Sequence, residues 1–282
     1  VYPHIAPVKG KVHDDVVDDL CRTGRQGLGS SVFRDPGDEG MHPDYAFTTR
    51  AFSPIKNEYR HSMEDFTVVK DIIRGIIESN STFVSACGEA YFKPHMAAQH
   101  PRITLVACCD SRVQPVVIEP DPIDKVFTIE TIGNQMASAQ GSVDYGVLHL
   151  HTPVLLIMGH TDCGAIKAFM KGYEKENDAI KGELDNLKAS LPAPGGGSFD
   201  EELMRNIQAN VMSQVGAALK RYRSLVDEGK LTVVGAVYDF TNALCKGFGR
   251  VVIVNVNGVA GKDRLRALPE LQGLDPDTCL GV

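Results

Sequence analysis

From Ile103 onward, short β-branched runs alternate with stretches of helical apolar period. That alternation restricts the chain to an α/β fold, a mostly parallel β-sheet core flanked by helices. The strand-like runs are Ile103 to Ala107, Val126 to Ile129, Val154 to Met158, Leu231 to Tyr238 and Val251 to Val256. Between them, Gln140 to His151 and Gly164 to Lys171 carry apolar residues at helical spacing. Asp200 to Asp227 reads as one long helix with Ile207, Val211, Val215, Leu219 and Tyr222 near one face. Right-handed crossovers follow by default. The run Leu191-Pro-Ala-Pro-Gly-Gly-Gly-Ser198 is a surface loop between two helices, because its prolines and glycines suit neither helix nor strand.

The N-terminal stretch is of another kind. Val12 to Arg22 has the pattern of a short acidic helix, but Arg34 to Pro43 is turn chemistry throughout. Residues 1–65 are therefore expected as a long helical and loop arm, too sparse to form a core alone. Val68 to Ser79 and Phe83 to Gln99 are expected as helices leading into the first strand. With 43% hydrophobic and 23% charged residues in 282, the remainder can bury one core. A balance of 29 basic against 36 acidic residues, without a block of like charge, disfavours a nucleic-acid surface. No apolar run approaches the roughly 18 residues of a membrane span. Seven cysteines cannot all pair within one chain, and a chain of 282 residues needs no staples. Free thiols in a reducing intracellular compartment, cytoplasm or organelle interior, are the expectation.

Two clusters carry chemistry, each at the C-terminal end of an expected strand, where open α/β sheets place their sites. The first is Cys108-Cys109-Asp110-Ser111-Arg112; the second is Gly159-His160-Thr161-Asp162-Cys163-Gly164. His160 and Cys163 are three apart on a turn opening into a helix, which suits zinc, and Cys108 could add a third ligand from the other strand. Three ligands leave one position open, as catalysis requires. Taken singly, either cluster reads equally well as a small buried cysteine or a turn histidine. Asp110 and Arg112 have the spacing of a bidentate pair, either a plain ion pair or a device holding the carboxylate away from a metal. Cys109 points to the opposite face of its extended segment and reads as packing.

Cys-x-Asp-Ser-Arg followed by His-x-x-Cys resembles the β-class carbonic anhydrases. Gln99, nine positions before Cys108, and Ser142 to His149 extend the resemblance, as do Asn210-Val211 and Val234 to Asp239. It covers about Val69 to Gly258. It implies one catalytic domain over 66–282, with an insertion near 171–202. It further implies zinc on Cys108, His160 and Cys163, and reversible hydration of CO2 to bicarbonate and a proton by metal-bound hydroxide. Asp110, fixed by Arg112, would orient the hydroxide. Gln99 would donate to a substrate oxygen, and Gly164 would leave room and a backbone N–H for the developing anion. Tyr145 and His149 match positions lining the site and its exit, and His149 reads equally as a proton shuttle or a surface residue. In that family the N-terminal helices reach onto a partner subunit and sites form at the dimer interface, so a homodimer or higher homo-oligomer is implied.

This sequence also departs from the pattern. Glu130-Thr-Ile-Gly-Asn134 puts an anion where the family usually has an Arg. Some members bind bicarbonate in a second pocket using that Arg and a Trp; Glu130 and Leu105 stand at those positions here, so no such switch is expected. The same zinc ligands would also serve a hydrolase of COS or CS2. A zinc-holding redox or scaffold protein is the weaker reading, since it gives Asp110, Arg112 and Gln99 nothing to do.

Overall fold

The β-branched runs do become strands, and each is carried to the edge of the sheet by the residues that follow it. A computed structural model describes residues 66–281; the expected helix at Val12 to Arg22 and the rest of the 1–65 arm lie outside them. The described residues divide between Ala98 and Gln99 into two units. No helix among them is long and apolar enough to cross a membrane.

Residues 66–98 are mainly helix α1, Phe66–Phe92, followed by a 3-10 turn at Lys93–His95. Two helices were expected here, separated near Asn80. Instead Ser81 Oγ donates to the Ile77 carbonyl at 2.8 Å, Thr82 Oγ1 to Glu78 at 3.0 Å and Ser85 Oγ to Ser81 at 2.8 Å. These hydroxyls bond back along the helix instead of capping a new one. The real interruption is Gly88, at φ 67°, a conformation open to glycine at little cost. Val69, Ile72, Ile73, Ile76 and Ile77 are exposed.

Residues 99–281 hold strands β1 (Ile103–Cys108), β2 (Val126–Thr131), β3 (Val154–His160), β4 (Thr232–Asp239), β5 (Arg250–Val256) and β6 (Val259–Ala260). The sheet order is β2-β1-β3-β4-β5-β6. The first four strands are parallel; β5 and β6 add on antiparallel. Side chains alternate across the sheet. Val106, Leu155, Ile157, Val233 and Val237 enter the larger core, whereas Leu105, Ala107, Leu156, Met158 and Ala236 enter a smaller one on the other face.

The crossover from β2 to β3 contains helix α2 (Gln140–Asp144), which continues as a π-helical turn, Tyr145–His149. The expected helix is thus wound differently at its end. The Leu150 N–H bonds the Tyr145 carbonyl at 2.9 Å, five residues back, a geometry that recurs at functional sites. Gly146 presses onto the start of β1 here: an added Cβ would lie 2.3 Å from Thr104 Oγ1.

Between β3 and β4 come α3 (Gly164–Lys171), α4 (Asp178–Asp185), α5 (Phe199–Arg221) and α6 (Arg223–Asp227). The segment 171–202 is more than a loop, because Leu184 and Leu187 are buried in the larger core; Leu191 to Ser198 lacks regular structure. Helix α5 begins at a capping box in which Ser198 and Glu201 satisfy each other's backbone N–H. It ends at Tyr222, short of the expected Asp227, where the buried tyrosine hydroxyl donates to Asp144 Oδ1 at 2.8 Å.

Helix α5 sits close to the sheet because two strand positions lack side chains. A Cβ on Gly159 would lie 2.7 Å from Val211 Cγ2, and one on Gly235 would lie 2.9 Å from Val215 Cγ2 and 3.0 Å from Val211 Cγ1. Both distances demand that the helix shift. Gly235→Ala should therefore destabilise the protein by about 1–3 kcal/mol, the usual cost of overpacking a core. Urea denaturation of the variant measures it, and an unchanged midpoint would show that α5 is not held this tightly.

Candidate metal centre

The register of β1 against β3 pairs Ala107 with Met158, so Cys108 and His160 both finish at one edge of the sheet. Beyond His160 the chain turns through Thr161 and Asp162, and Cys163 becomes the N-cap of α3. One ligand atom from each of Cys108, His160 and Cys163 then lies within 4.8 Å of the others, and all three residues are buried. His160 Nδ1 is 2.8 Å from the Thr161 carbonyl oxygen. A carbonyl only accepts, so Nδ1 carries the proton and Nε2 keeps its lone pair. That Nε2 is buried and has no hydrogen-bond partner. A buried acceptor left unpaired beside two sulfurs matches the donor set of a Cys2His zinc site with one open position.

The two sulfurs are electrically unlike. Cys163 hydrogen-bonds to Cys108, and with help from His160 this outweighs burial and brings the Cys108 thiol down to about 4. The same contact, together with burial, pushes Cys163 well up. The N–H groups of Ile166 and Ala165, at the start of α3, face Cys163, and the N–H of Gly133 faces Cys108. A metal held here would have to displace the remaining thiol proton, so its affinity would fall with falling pH.

Asp110 and Arg112 form the bidentate pair that their spacing suggests. Arg112 donates from Nε to Oδ1 at 2.9 Å, from Nη2 to Oδ2 at 2.7 Å and from its backbone N–H to Oδ1 at 3.0 Å. These bonds hold the Asp110 carboxyl at about 2 against the opposing effect of burial. Asp110 Oδ2 stands 3.9 Å from His160 Nε2. The ion pair and a carboxylate poised at the cluster are therefore one and the same arrangement. Gly164 opens α3 beside Cys163, and a Cβ placed there would meet nothing within 4 Å, so the position borders open space. Cys109 is exposed, and burial is the largest of the effects that raise its thiol. Glu130 is exposed on β2, across from Ala107.

Gln99, Tyr145 and His149 stand elsewhere. Gln99 is exposed, four residues before β1 begins. Tyr145 and His149 lie against each other with ring centroids 4.5 Å apart, and Tyr145 also meets Phe127 at 5.8 Å. Phe127 pairs with Thr104, four residues before Cys108, which at the usual strand rise is roughly 13 Å. Within one chain the site residues thus fall into two groups at opposite ends of β1.

Two further residues at the centre have no role assigned from the motifs. Asp162, at φ 60°, accepts from Arg112 Nη1 at 3.1 Å and pairs with Lys167. Phe240 stacks on the His160 ring at 5.9 Å and carries the Arg112 guanidinium 4.5 Å from its centroid. It arrives there because His160 pairs with Tyr238, and because Asp239 accepts from the N–H of Ala243 at 3.0 Å and of Leu244 at 2.7 Å, fixing the turn after β4. Asp162 lies inside a legible motif; Phe240 has no local signal.

The carbonic anhydrase family model matches residues 103–245. With this sheet and this cluster, the chain belongs to the carbonic anhydrase family, in its β class. It is 28% identical over 164 residues to a carbonic anhydrase of Synechococcus elongatus, a match covering 52% of this chain and 60% of that protein. It is also 28% identical over 185 residues to a carbonic anhydrase of Pseudomonas aeruginosa, covering 61% and 83%. In fold it is similar to the Coccomyxa β-carbonic anhydrase, with a TM-score of 0.56, 24% identity and coverage of 69% and 90%. Tetrameric β-carbonic anhydrases of Sordaria macrospora give a TM-score of 0.53 at 20% identity, covering 66% and 98%.

Removing the guanidinium tests the electrostatics of the centre. In Arg112→Leu the Asp110 carboxyl should climb from about 2 to or above the ordinary value of about 4. A depressed carboxylate stabilises the fold fully above its unfolded value and loses that contribution as pH falls toward its folded one. The stability difference between wild type and variant should therefore be greatest at neutral pH and shrink between about 4 and 2. Carbon NMR titration of the Asp110 carboxyl, with denaturation at several pH values, checks both. An unmoved carboxyl would remove Arg112 as the cause.

Proposed function

We propose that the protein catalyses the reversible hydration of CO2 to bicarbonate and a proton, with Zn2+ held by Cys108, His160 and Cys163. The observation that carries this reading is the unpartnered, buried His160 Nε2 between two sulfurs, with an ionised Asp110 locked beside it. When bound there, zinc supplies the Lewis acidity that brings water toward deprotonation near neutral pH. Asp110 has Oδ2 at the cluster and can only accept, so it orients the O–H of a reacting water and fixes where its lone pair points. Arg112 keeps that carboxylate turned aside from the metal position and ionised. The Gly164 N–H, beside the open space at that position, receives the negative charge that develops on the substrate oxygens.

Gln99 and Tyr145 reach such a substrate only from a second copy of the chain, because their own lie at the far end of β1, Tyr145 at a level roughly 13 Å away and Gln99 before the strand begins. A homo-oligomer in which one protomer's Gln99 donates to the substrate at its partner's metal follows from this reading. His149, in contact with Tyr145, would then pass the released proton outward. The exposed apolar side chains of α1 also fit an assembly of subunits.

Stopped-flow CO2 hydration by zinc-loaded protein is the direct test. Turnover is expected, with a loss of roughly a hundredfold or more in Asp110→Asn; no turnover at full zinc occupancy would refute the proposal. Consumption of COS measured in parallel shows whether the sulfur analogue is the preferred substrate. Co-expression of Gln99→Ala with Asp110→Asn chains examines the shared site separately. Mixed oligomers should recover activity that neither variant has alone, and failure to recover would return Gln99 to a role outside the chemistry.

A further inference from the structure

Behind the metal ligands lies a buried ladder of side-chain amides that the reading above does not use. Asn206, Asn210 and Gln214 follow one another at helical spacing on α5, and all three are buried. Asn210 is 1% exposed. Its Nδ2 donates to the Gly133 carbonyl at 2.9 Å and to Asn134 Oδ1 at 3.2 Å. Its Oδ1 accepts from Gln135 Nε2 at 2.6 Å, and the same Nε2 bonds the Gly133 carbonyl at 2.8 Å. All three hydrogen bonds of the Asn210 amide thus go to residues 133–135. Gln214 holds the next part of the loop, donating to Gln135 Oε1 at 3.0 Å and accepting from the Met136 N–H at 3.0 Å.

In this loop Gly133 and Asn134 are successive left-handed residues, at φ 72° and 49°, the residue types that adopt that conformation most readily. Gly133 is also hemmed in: a Cβ there would lie 3.3 Å from Ala165 Cβ, two residues beyond Cys163. Gly133 thus packs against the start of α3, two residues beyond Thr131, the partner of Cys108 across β1 and β2, and its N–H is turned to Cys108.

We propose that Asn210 is a positioning residue for the metal centre, clamping the Gly133 carbonyl so that the Gly133 N–H is held on the Cys108 sulfur. The inference rests on the zinc reading of that centre. Two thiolates cancel the charge of a dication and weaken it as a Lewis acid. An N–H held on a sulfur withdraws part of that charge and fixes the direction of the sulfur lone pairs, and partners of ligands act in this way in metal sites generally. Cys163 has such donors from the start of α3; Cys108 ends a strand and has Gly133 for the purpose.

The test compares zinc-loaded wild type with Asn210→Leu and with Gln214→Leu, which loosens the same loop without touching the Gly133 carbonyl. Chelator competition should show zinc affinity falling about ten- to hundredfold in Asn210→Leu and holding in Gln214→Leu. In the cobalt-substituted proteins, the sulfur-to-metal charge-transfer band should move in the first variant alone. Equal changes in both would reduce Asn210 to packing and overturn the proposal, as would unchanged affinity in Asn210→Leu. If that variant fails to fold, cadmium-substituted wild type decides: a scalar coupling between the metal nucleus and the Gly133 amide proton is expected, and its absence overturns the inference. Wild type that binds no zinc at all would remove the zinc reading as well, whereas zinc-binding wild type with an indifferent Asn210→Leu removes this inference alone.

Discussion

The parallel register of β1 against β3 is the constraint on which everything else at this sheet edge depends. Ile103 pairs with Val154 and Ala107 with Met158, so Cys108 ends level with Gly159, and His160 follows one residue further along the neighbouring strand. Because strand side chains alternate, a slip of one residue would send Cys108 to the opposite face. Both faces resist that slip. Val106 and Ile157 are fully buried on one side, as are Leu105 and Met158 on the other. At the far end, the buried hydroxyls of Thr104 and Thr152 bond at 2.7 Å. The precision of the metal centre is inherited from ordinary core packing.

Charge at the centre is arranged in matched portions. Two thiolates and a neutral imidazole suit a dication. Asp110 is neutralised by Arg112, and Asp162, which also draws on Arg112, has Lys167 as its own partner. Without Lys167, one guanidinium would have to serve two carboxylates, and its hold on Asp110 would weaken. Phe240 completes the setting from the third side, since its face attracts the guanidinium while its plane stacks on the ligand imidazole. Arg112 is thereby held by a carboxylate pair and an aromatic ring at once, which is why a side chain 45% exposed can still set the state of its neighbour.

What the sequence disclosed and what it withheld divide along one line, the range of the interaction. Cys108, Asp110, Arg112, His160 and Cys163 sit within a few positions of strand ends, and strand ends are legible from runs of Val, Ile and Leu. The Asn210 ladder is not legible, because its meaning depends on a loop 75 residues away, and on a helix face that reads simply as Ile207, Val211 and Val215. Phe240 is hidden for the same reason, since only the pairing of β4 with β3 brings it to His160. Local detail was also lost where one weak effect outbid another. Ser81 and Thr82 look like a helix break but bond back along α1, whereas Tyr222 looks like one more apolar helical position, yet α5 ends there and its hydroxyl donates to the half-buried Asp144.

The rigidity that sharpens the metal centre also forbids it from completing itself. Tyr145 is fixed against Phe127, and the next residue, Gly146, is pressed onto Thr104 with no room even for a methyl group. Gln99 leads directly into β1, where the Arg102 and Ile103 N–H groups already bond the Lys125 carbonyl at 3.0 and 3.3 Å. Neither group can travel the length of a paired, doubly buried strand to reach Cys108 without unzipping the sheet that positions Cys108. A part for these residues in the chemistry therefore requires a second copy of the chain, set so that the start of one β1 faces the end of another. Assembly would then be a condition of the active site's existence rather than an addition to a finished enzyme.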